Sequence, residues 1–262
     1  MIRSGDAAAD ENWTSVLSLN VERNKWFLER LQSDVAPRMD LRRQTRILDL
    51  GCGCGKSSLL LAELFPNAHI VGLDISAANI AQGRRALQAR QLPGITFECE
   101  DYSQRRFPKE YFDLIVADSV LHFIPGAERD ILPKLIGELA PGGHLVFSIP
   151  DEGVVNRLHW LLRTILRRIR CPFTDRLILA FARAVHGKSH SDAFLQERIN
   201  YMYILPSIWF SRRLRSVLCQ GLGLVQVHER RYPLSSPGQL RHRLCIFAKP
   251  PASELAARPF AG

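Results

Sequence analysis

No stretch of this 262-residue sequence approaches the roughly 18 consecutive apolar residues of a membrane span. Its opening residues, MIRSGDAAADENW, contain no apolar core of a secretory leader. The six cysteines, Cys52, Cys54, Cys99, Cys171, Cys219 and Cys245, show no C-x-x-C spacing. Neither a metal site nor a disulfide framework is therefore expected, and the thiols read as reduced, in a soluble cytoplasmic protein. Internal repeats are absent, and the one biased stretch is the Pro- and Ala-rich end at 250–262, expected to fray. What remains is an ordinary globular balance, 46% hydrophobic and 23% charged, long enough to bury a substantial core.

Acidic residues are scarce in only one part of the chain. Residues 1–150 carry 17 basic and 19 acidic side chains, net −2, whereas residues 151–262 carry 18 and 7, net +11. The excess predicts a cationic face near whatever the second part binds, or simply a solubilising surface.

Short β-branched runs alternate with helical patterns through the first 150 residues, which predicts a parallel sheet with crossover helices. Strands are expected at 46–50, 69–74, 95–99, 112–118 and 143–149, with helices at 55–64, 77–90 and 127–139. Two closing strands are expected at 222–230 and 243–250. An N-terminal helical cap (1–40) holds Trp13, Trp26 and Phe27. The core occupies 41–150, a helical insertion 151–206, and a closing helix from Ser207 to Cys219 with the terminal strands 207–250. Within the insertion, Leu158, Leu161, Leu162, Ile165, Leu166 and Ile169 form one apolar stripe, with Arg163, Arg167 and Arg170 opposite. A second helical pattern runs from about Asp175 to Val185.

The chemistry is concentrated where the first strand meets Asp49-Leu50-Gly51-Cys52-Gly53-Cys54-Gly55-Lys56-Ser57. Three ligand classes use such a strand–glycine–helix junction. A phosphate-binding P-loop needs its first glycine at position 50, which is Leu50, and a dinucleotide loop needs its third glycine later than Gly55. The third class carries an acid two residues before the first glycine, as Asp49 does. Here the chain resembles the class I S-adenosylmethionine-dependent methyltransferases, closely over about 45–150 and loosely in the terminal strands.

Further motifs agree with that resemblance: Val71-Gly72-Leu73-Asp74-Ile75-Ser76, Glu100-Asp101-Tyr102, Phe112 through Ala117-Asp118-Ser119-Val120-Leu121-His122, and Pro141-Gly142-Gly143 turning into the fifth strand. The resemblance implies a doubly wound, seven-stranded, mostly parallel Rossmann-like sheet with a helical lid insertion, and S-adenosylmethionine as cofactor. It assigns Asp49 and the amides of Gly51, Cys52, Gly53 and Gly55 to the methionine end of the cofactor. Asp74 becomes the ribose clamp with Ile75 beside it, Asp101 and Tyr102 border the adenine, and Asp118 and Ser119 flank the methionine part. For Asp74 the competing role is capping the next helix, which Ser76 fills better. Glu100 stands where the family usually has glycine.

Methyl transfer from a sulfonium is an in-line displacement needing alignment and exclusion of water, with no nucleophilic side chain. A base is required only for an acceptor of high pKa. His122 is the first candidate, with His186, His190, Tyr201 and Tyr203 as rivals and packing as its alternative role. Cys52 and Cys54 read as small packing residues. Trp13, Trp26, Tyr201 and Tyr203, with His122, are candidate acceptor contacts, and the insertion's aromatics suit a bulky or lipophilic small molecule. The basic helix 154–170 reads as a solvated face, as an attachment to an anionic membrane, or as a site for an acidic partner. Nucleic acid is not expected, because the fourth motif lacks an Asn/Asp-Pro-Pro-aromatic tetrapeptide. The expected activity is methylation of a small, hydrophobic or aromatic metabolite, preferentially on oxygen. Other readings are a cofactor-binding protein that does not methylate, or a lipid or RNA methyltransferase.

Overall fold

A computed structural model describes residues 21–40, 42–90, 92–186, 199, 203–232 and 240–256. One seven-stranded sheet organises them: β1 (Thr45–Leu50), β2 (Ala68–Asp74), β3 (Ile95–Cys99), β4 (Phe112–Asp118), β5 (Leu139–Pro150), β6 (Val225–Arg231) and β7 (His242–Ala248). Their spatial order is β3-β2-β1-β4-β5-β7-β6. The first five strands are parallel, and β7 pairs antiparallel with both β5 and β6. The expected strand plan is thus present, with the switch of winding direction at β1, between β2 and β4.

Alternation along the central strands sorts their side chains into two apolar layers, as a parallel sheet covered on both faces requires. Leu48, Ile115, Leu145 and Phe147 enter one layer, and Ile47, Leu114, Val116 and Val146 enter the other. The second layer is closed by Phe27 of α1 (Val21–Arg30), by Leu31 and Val35 just after it, and by Leu59 and Leu61 of α2 (Lys56–Leu64). Ile80 of α3 (Ala77–Arg90) joins the same layer, while α4 (Leu132–Glu138) covers the first with Leu132, Leu135 and Ile136.

Several boundaries differ from expectation for local reasons. β5 begins at Leu139, not 143. Its register against β4 jumps between Phe112↔Leu139 and Leu114↔His144, so Ala140–Gly143 form a bulge around Gly142 at φ 77°. The closing helix starts at Arg212 rather than Ser207. Phe210 is held in a bridge to Asp151, and Ser211 caps the helix by accepting the Leu214 amide at 3.0 Å. The stretch expected to fray contains a short helix, Ala252–Ala256, where Pro251 starts the turn and alanines favour it. Trp13, His190 and Tyr201, and the end beyond 256, lie outside the described residues.

The insertion supplies α5 (Val154–Arg168) and α6 (Pro172–His186). Asn156 anchors α5. Its amide donates to the Asp151 carbonyl (2.8 Å), the Asp151 carboxylate (2.9 Å) and the Arg241 carbonyl (2.8 Å), and its oxygen accepts the Arg241 amide (2.8 Å). Arg163 is buried on the same side and donates to the Ile204 carbonyl at 3.2 Å, so this arginine does not belong to a solvated basic face. The apolar stripe points the other way: Leu158 is 61% exposed and Ile165 48%.

Asn156→Ala leaves the half-buried Arg241 amide and the Asp151 carboxylate short of partners. It is expected to lower unfolding free energy by about 2–3 kcal/mol, read as a reduced midpoint in urea denaturation. An unchanged midpoint would show that α5 is held elsewhere.

Candidate cofactor and acceptor site

At the carboxyl ends of β1, β2 and β4, the sequence-predicted residues converge around one carboxylate. Asp74 ends β2 and accepts three hydrogen bonds: from the Gly53 amide at 2.8 Å, the Ser76 amide at 2.9 Å and the Asn79 side chain at 3.4 Å. Ser76 itself caps α3, accepting the Asn79 amide at 3.3 Å, so Asp74 is released from that role as expected. Beside it Ile75 is 69% exposed, an apolar side chain held at the surface.

Three loop glycines have φ of 55–79°, a conformation other L-residues rarely adopt. Their surroundings differ. A side chain at Gly51 would meet Val120 at 2.5 Å, and one at Gly55 would meet the Phe97 ring at 2.3 Å. That same ring also occupies the space above Gly72 of β2, where a Cβ would lie 2.7 Å away, and touches the position above Gly83 of α3 at 3.4 Å. Gly53 is the exception, since nothing lies within 4 Å of where its Cβ would stand. The fold closes over its neighbours and leaves Gly53 open.

The expected use of the loop amides needs correction. The Gly51 and Cys52 amides donate to the Leu73 carbonyl (2.7 and 3.1 Å), Gly55 to the Cys52 carbonyl (3.0 Å), and Gly53 to Asp74. Three of these N–H groups hold the loop against β2 and the Gly55 amide bonds within the loop, so all four are engaged inside the protein and the glycines supply room for close approach. Asp49 is corrected too. It is 2% exposed and accepts the Ser58 hydroxyl at 2.6 Å, fastening α2 to β1 and offering no surface to a ligand. Burial pushes its carboxyl up to about 7, with Asp118 and Asp74 adding repulsion and the Ser58 hydrogen bonds opposing. Burial likewise raises the Cys52 thiol well above its ordinary range.

Asp101 is exposed at the end of β3, with one carboxylate oxygen capping the Ser103 amide at 2.8 Å. The Tyr102 ring does not border that site. It is buried under α4, its hydroxyl 2.6 Å from Glu138 and Lys134 3.3 Å from its ring centre, so only its backbone remains near the edge.

Across the loop, Asp118 and Ser119 end β4 in a polar network that local sequence does not reveal. Asp118 accepts the Ser148 hydroxyl (2.5 Å) and the Tyr232 hydroxyl (3.1 Å). Ser119, left-handed at φ 59°, lies 2.9 Å from the Ser148 hydroxyl and 3.1 Å from His242 Nδ1. His122 follows in a short 3₁₀ turn, buried, its ring 5.0 Å from that of His242. Trp26 of the N-terminal cap packs at a tilt of 54° against Tyr232 with ring centres 5.1 Å apart, which brings the cap to the Asp118 side. Tyr203 lies elsewhere, its hydroxyl bonded to Asp175 and its ring under Arg170 at 4.3 Å, a contact within the insertion. Ser148, Tyr232 and His242 come from β5, from just after β6 and from β7, too far along the chain for any motif to flag.

From His122 the segment 204–210 crosses to the end of β5: the Ser207 amide donates to the His122 carbonyl (2.8 Å) and the Phe210 amide to the Pro150 carbonyl (2.7 Å). Beside it, Glu152, Arg157, Trp160 and Trp209 line a depression of about 360 Å³ that opens to solvent. The described residues contain no cluster of three or more His, Cys, Asp or Glu suited to a metal ion.

Comparison with known proteins agrees with this geometry. A family profile described as "Methyltransferase domain" matches residues 47–143. A trans-aconitate 2-methyltransferase of Shigella flexneri is 30% identical over 252 residues, covering 88% of this chain and 94% of that relative. The chain belongs to the class I S-adenosylmethionine-dependent methyltransferases. Another methyltransferase of that name, from Methylobacterium nodulans, is 36% identical over 163 residues, 62% of this chain and 59% of the relative. Further relatives of that name are matched over about half of their length. Among solved structures, an S-adenosylmethionine-dependent methyltransferase from Methanosarcina mazei superimposes with a TM-score of 0.58 at 18% identity, covering 83% of this chain and 97% of that one, a likeness of fold.

The raised Asp49 carboxyl gives this methyltransferase a pH signature. A folded-state pKa above the unfolded one means the native state binds the proton more tightly, so stability contributed by this group falls as pH rises from 3.8 towards about 7. Asp49→Asn removes the penalty. Its thermal midpoint, compared with that of the parent, should improve on going from about pH 5 to about pH 8, and a pH-independent difference would contradict the assignment.

Proposed function

We propose that this methyltransferase moves the methyl group of S-adenosylmethionine onto an oxygen of a small acceptor with an apolar or aromatic body. The observation that carries the reading is the Asp74 carboxylate standing at the edge of the one loop glycine left open. A carboxylate there accepts paired ribose hydroxyls, and its three protein donors hold it aimed. Exposed Ile75 and Asp101 flank it on the side where an adenine would be bordered. When bound, the cofactor supplies an activated methyl on a sulfonium. The protein's part is to align the acceptor and keep water out.

On the acceptor side, Asp118 and Ser119 mark the methionine end, and His122 and His242 present two imidazoles beside it. For a hydroxyl acceptor His122 takes the proton; for a carboxylate acceptor no base is needed, and the imidazoles serve as donors. Trp160 and Trp209 in the neighbouring depression support an apolar or aromatic body. A second reading, a small polycarboxylate, is favoured by Arg157 in that same depression and by the relatives named for trans-aconitate.

Two measurements test this. Titration calorimetry with S-adenosylmethionine and its demethylated product should show uptake by the parent protein and at least about tenfold weaker binding by Asp74→Asn, the cost of a lost charge-assisted pair of hydrogen bonds. Unchanged affinity would overturn the clamp. With labelled cofactor and a panel spanning aromatic hydroxyl compounds, aromatic acids and trans-aconitate, His122→Asn should lower kcat about a hundredfold for hydroxyl acceptors and spare carboxylate ones. Tight cofactor binding with no labelled product across the panel would favour a non-methylating role.

A further inference from the structure

The insertion turns its polar side inward and its apolar side outward. On α5 the side facing the sheet domain carries Asn156 and Arg163, both buried. The outward side carries Val154, Leu158, Leu161, Ile165 and Ile169, between 48% and 74% exposed. α6 repeats the outward half of the pattern: Phe173, Leu177 and Phe181, one turn apart in succession, are 71%, 61% and 71% exposed. The outer faces of both helices thus suit an environment that is not water, since scattered exposed apolar residues are normal but contiguous stripes on two successive helices are not.

Charge placement identifies that environment. Arg157 and Arg168, three helical turns apart, run along one edge of the α5 stripe, and both are exposed. Arg176 is exposed on α6, one residue from Leu177. The segment carrying both helices belongs to the part of the chain with net charge +11. An apolar helix face bordered by arginines matches the boundary of an anionic bilayer, where side chains such as Leu and Phe enter the acyl region and guanidinium groups meet lipid phosphates. No described helix is long and apolar enough to cross a membrane, so the contact lies in the surface plane.

We infer that α5 and α6 form a docking face for the surface of a bilayer containing anionic lipid. α5 starts just past the end of β5, and Trp160 on it lines the depression shared with Trp209, so docking brings the lipid surface close to that depression. The contact does not depend on which acceptor is methylated.

Vesicle co-sedimentation of the full chain provides the test, with phosphatidylcholine alone and with phosphatidylcholine plus phosphatidylglycerol. The parent should sediment with the anionic vesicles, weaken with added salt and bind neutral vesicles less. The double variant Leu158→Ser/Phe181→Ser should lose at least about tenfold in partitioning, and so should Arg168→Glu/Arg176→Glu. Each variant must keep its cofactor affinity by calorimetry, which separates loss of docking from loss of folding; a serine pair that fails to fold is replaced by Ile165→Asn alone. The proposal is overturned if the parent does not bind anionic vesicles, or if both variants still bind them as the parent does. It is equally overturned if the parent elutes as a dimer that Leu158→Ser/Phe181→Ser dissociates while neither sediments with lipid, because a second copy would then cover the face.

Discussion

The Asp74 carboxylate ties the end of β2 to the glycine loop through the Gly53 amide and to the start of α3 through the Ser76 amide. Three elements that meet at the switch of the sheet are thereby fixed by one carboxylate. Its position depends in turn on the Gly51 and Cys52 amides bonding the Leu73 carbonyl, which draw the loop down onto β2. A loop that satisfies its own N–H groups needs no ligand to remain folded. The cofactor, bound as proposed, would meet a preformed gap over Gly53 with the Asp74 carboxylate at its rim, and preorganisation of this kind reduces the ordering cost of binding.

Much of this was legible in the sequence because the relevant signals are local. The alternation of short apolar strands with helical patterns gives the parallel order through β5. The spacing Asp49-x-Gly51-x-Gly53-x-Gly55 and the acid at 74 place the loop and the Asp74 carboxylate on neighbouring strand ends. Ser76 also has a readable role, three residues before the Asn79 amide it accepts.

What was not legible depends on the third dimension. Asp49 looks like a ligand contact in a motif, yet its carboxylate turns to Ser58, nine residues on, and is buried. The Tyr102 ring follows an acid at a strand end but finds a larger apolar layer beneath α4. Asp118, Ser119 and His122 are predicted as a cluster, whereas Ser148, Tyr232 and His242, which complete it, arrive through the β5–β7 pairing and carry no motif. Periodicity identifies the stripe on α5 but not its direction. Only the Asn156 and Arg163 hydrogen bonds decide that the polar side is the inner one.

Phe97 has a further bearing on how this chain can vary. Its ring stands 2.3 Å and 2.7 Å from where side chains would start at Gly55 and Gly72, which come from the cap of α2 and the middle of β2. One aromatic residue on β3 therefore bears on two glycines of different elements, whereas Gly83 of α3 is confined first by the Cys54 backbone at 3.2 Å. A lineage that shortened residue 97 would leave Gly55 confined by its own left-handed backbone and Gly72 still facing the Ser58 hydroxyl at 3.0 Å.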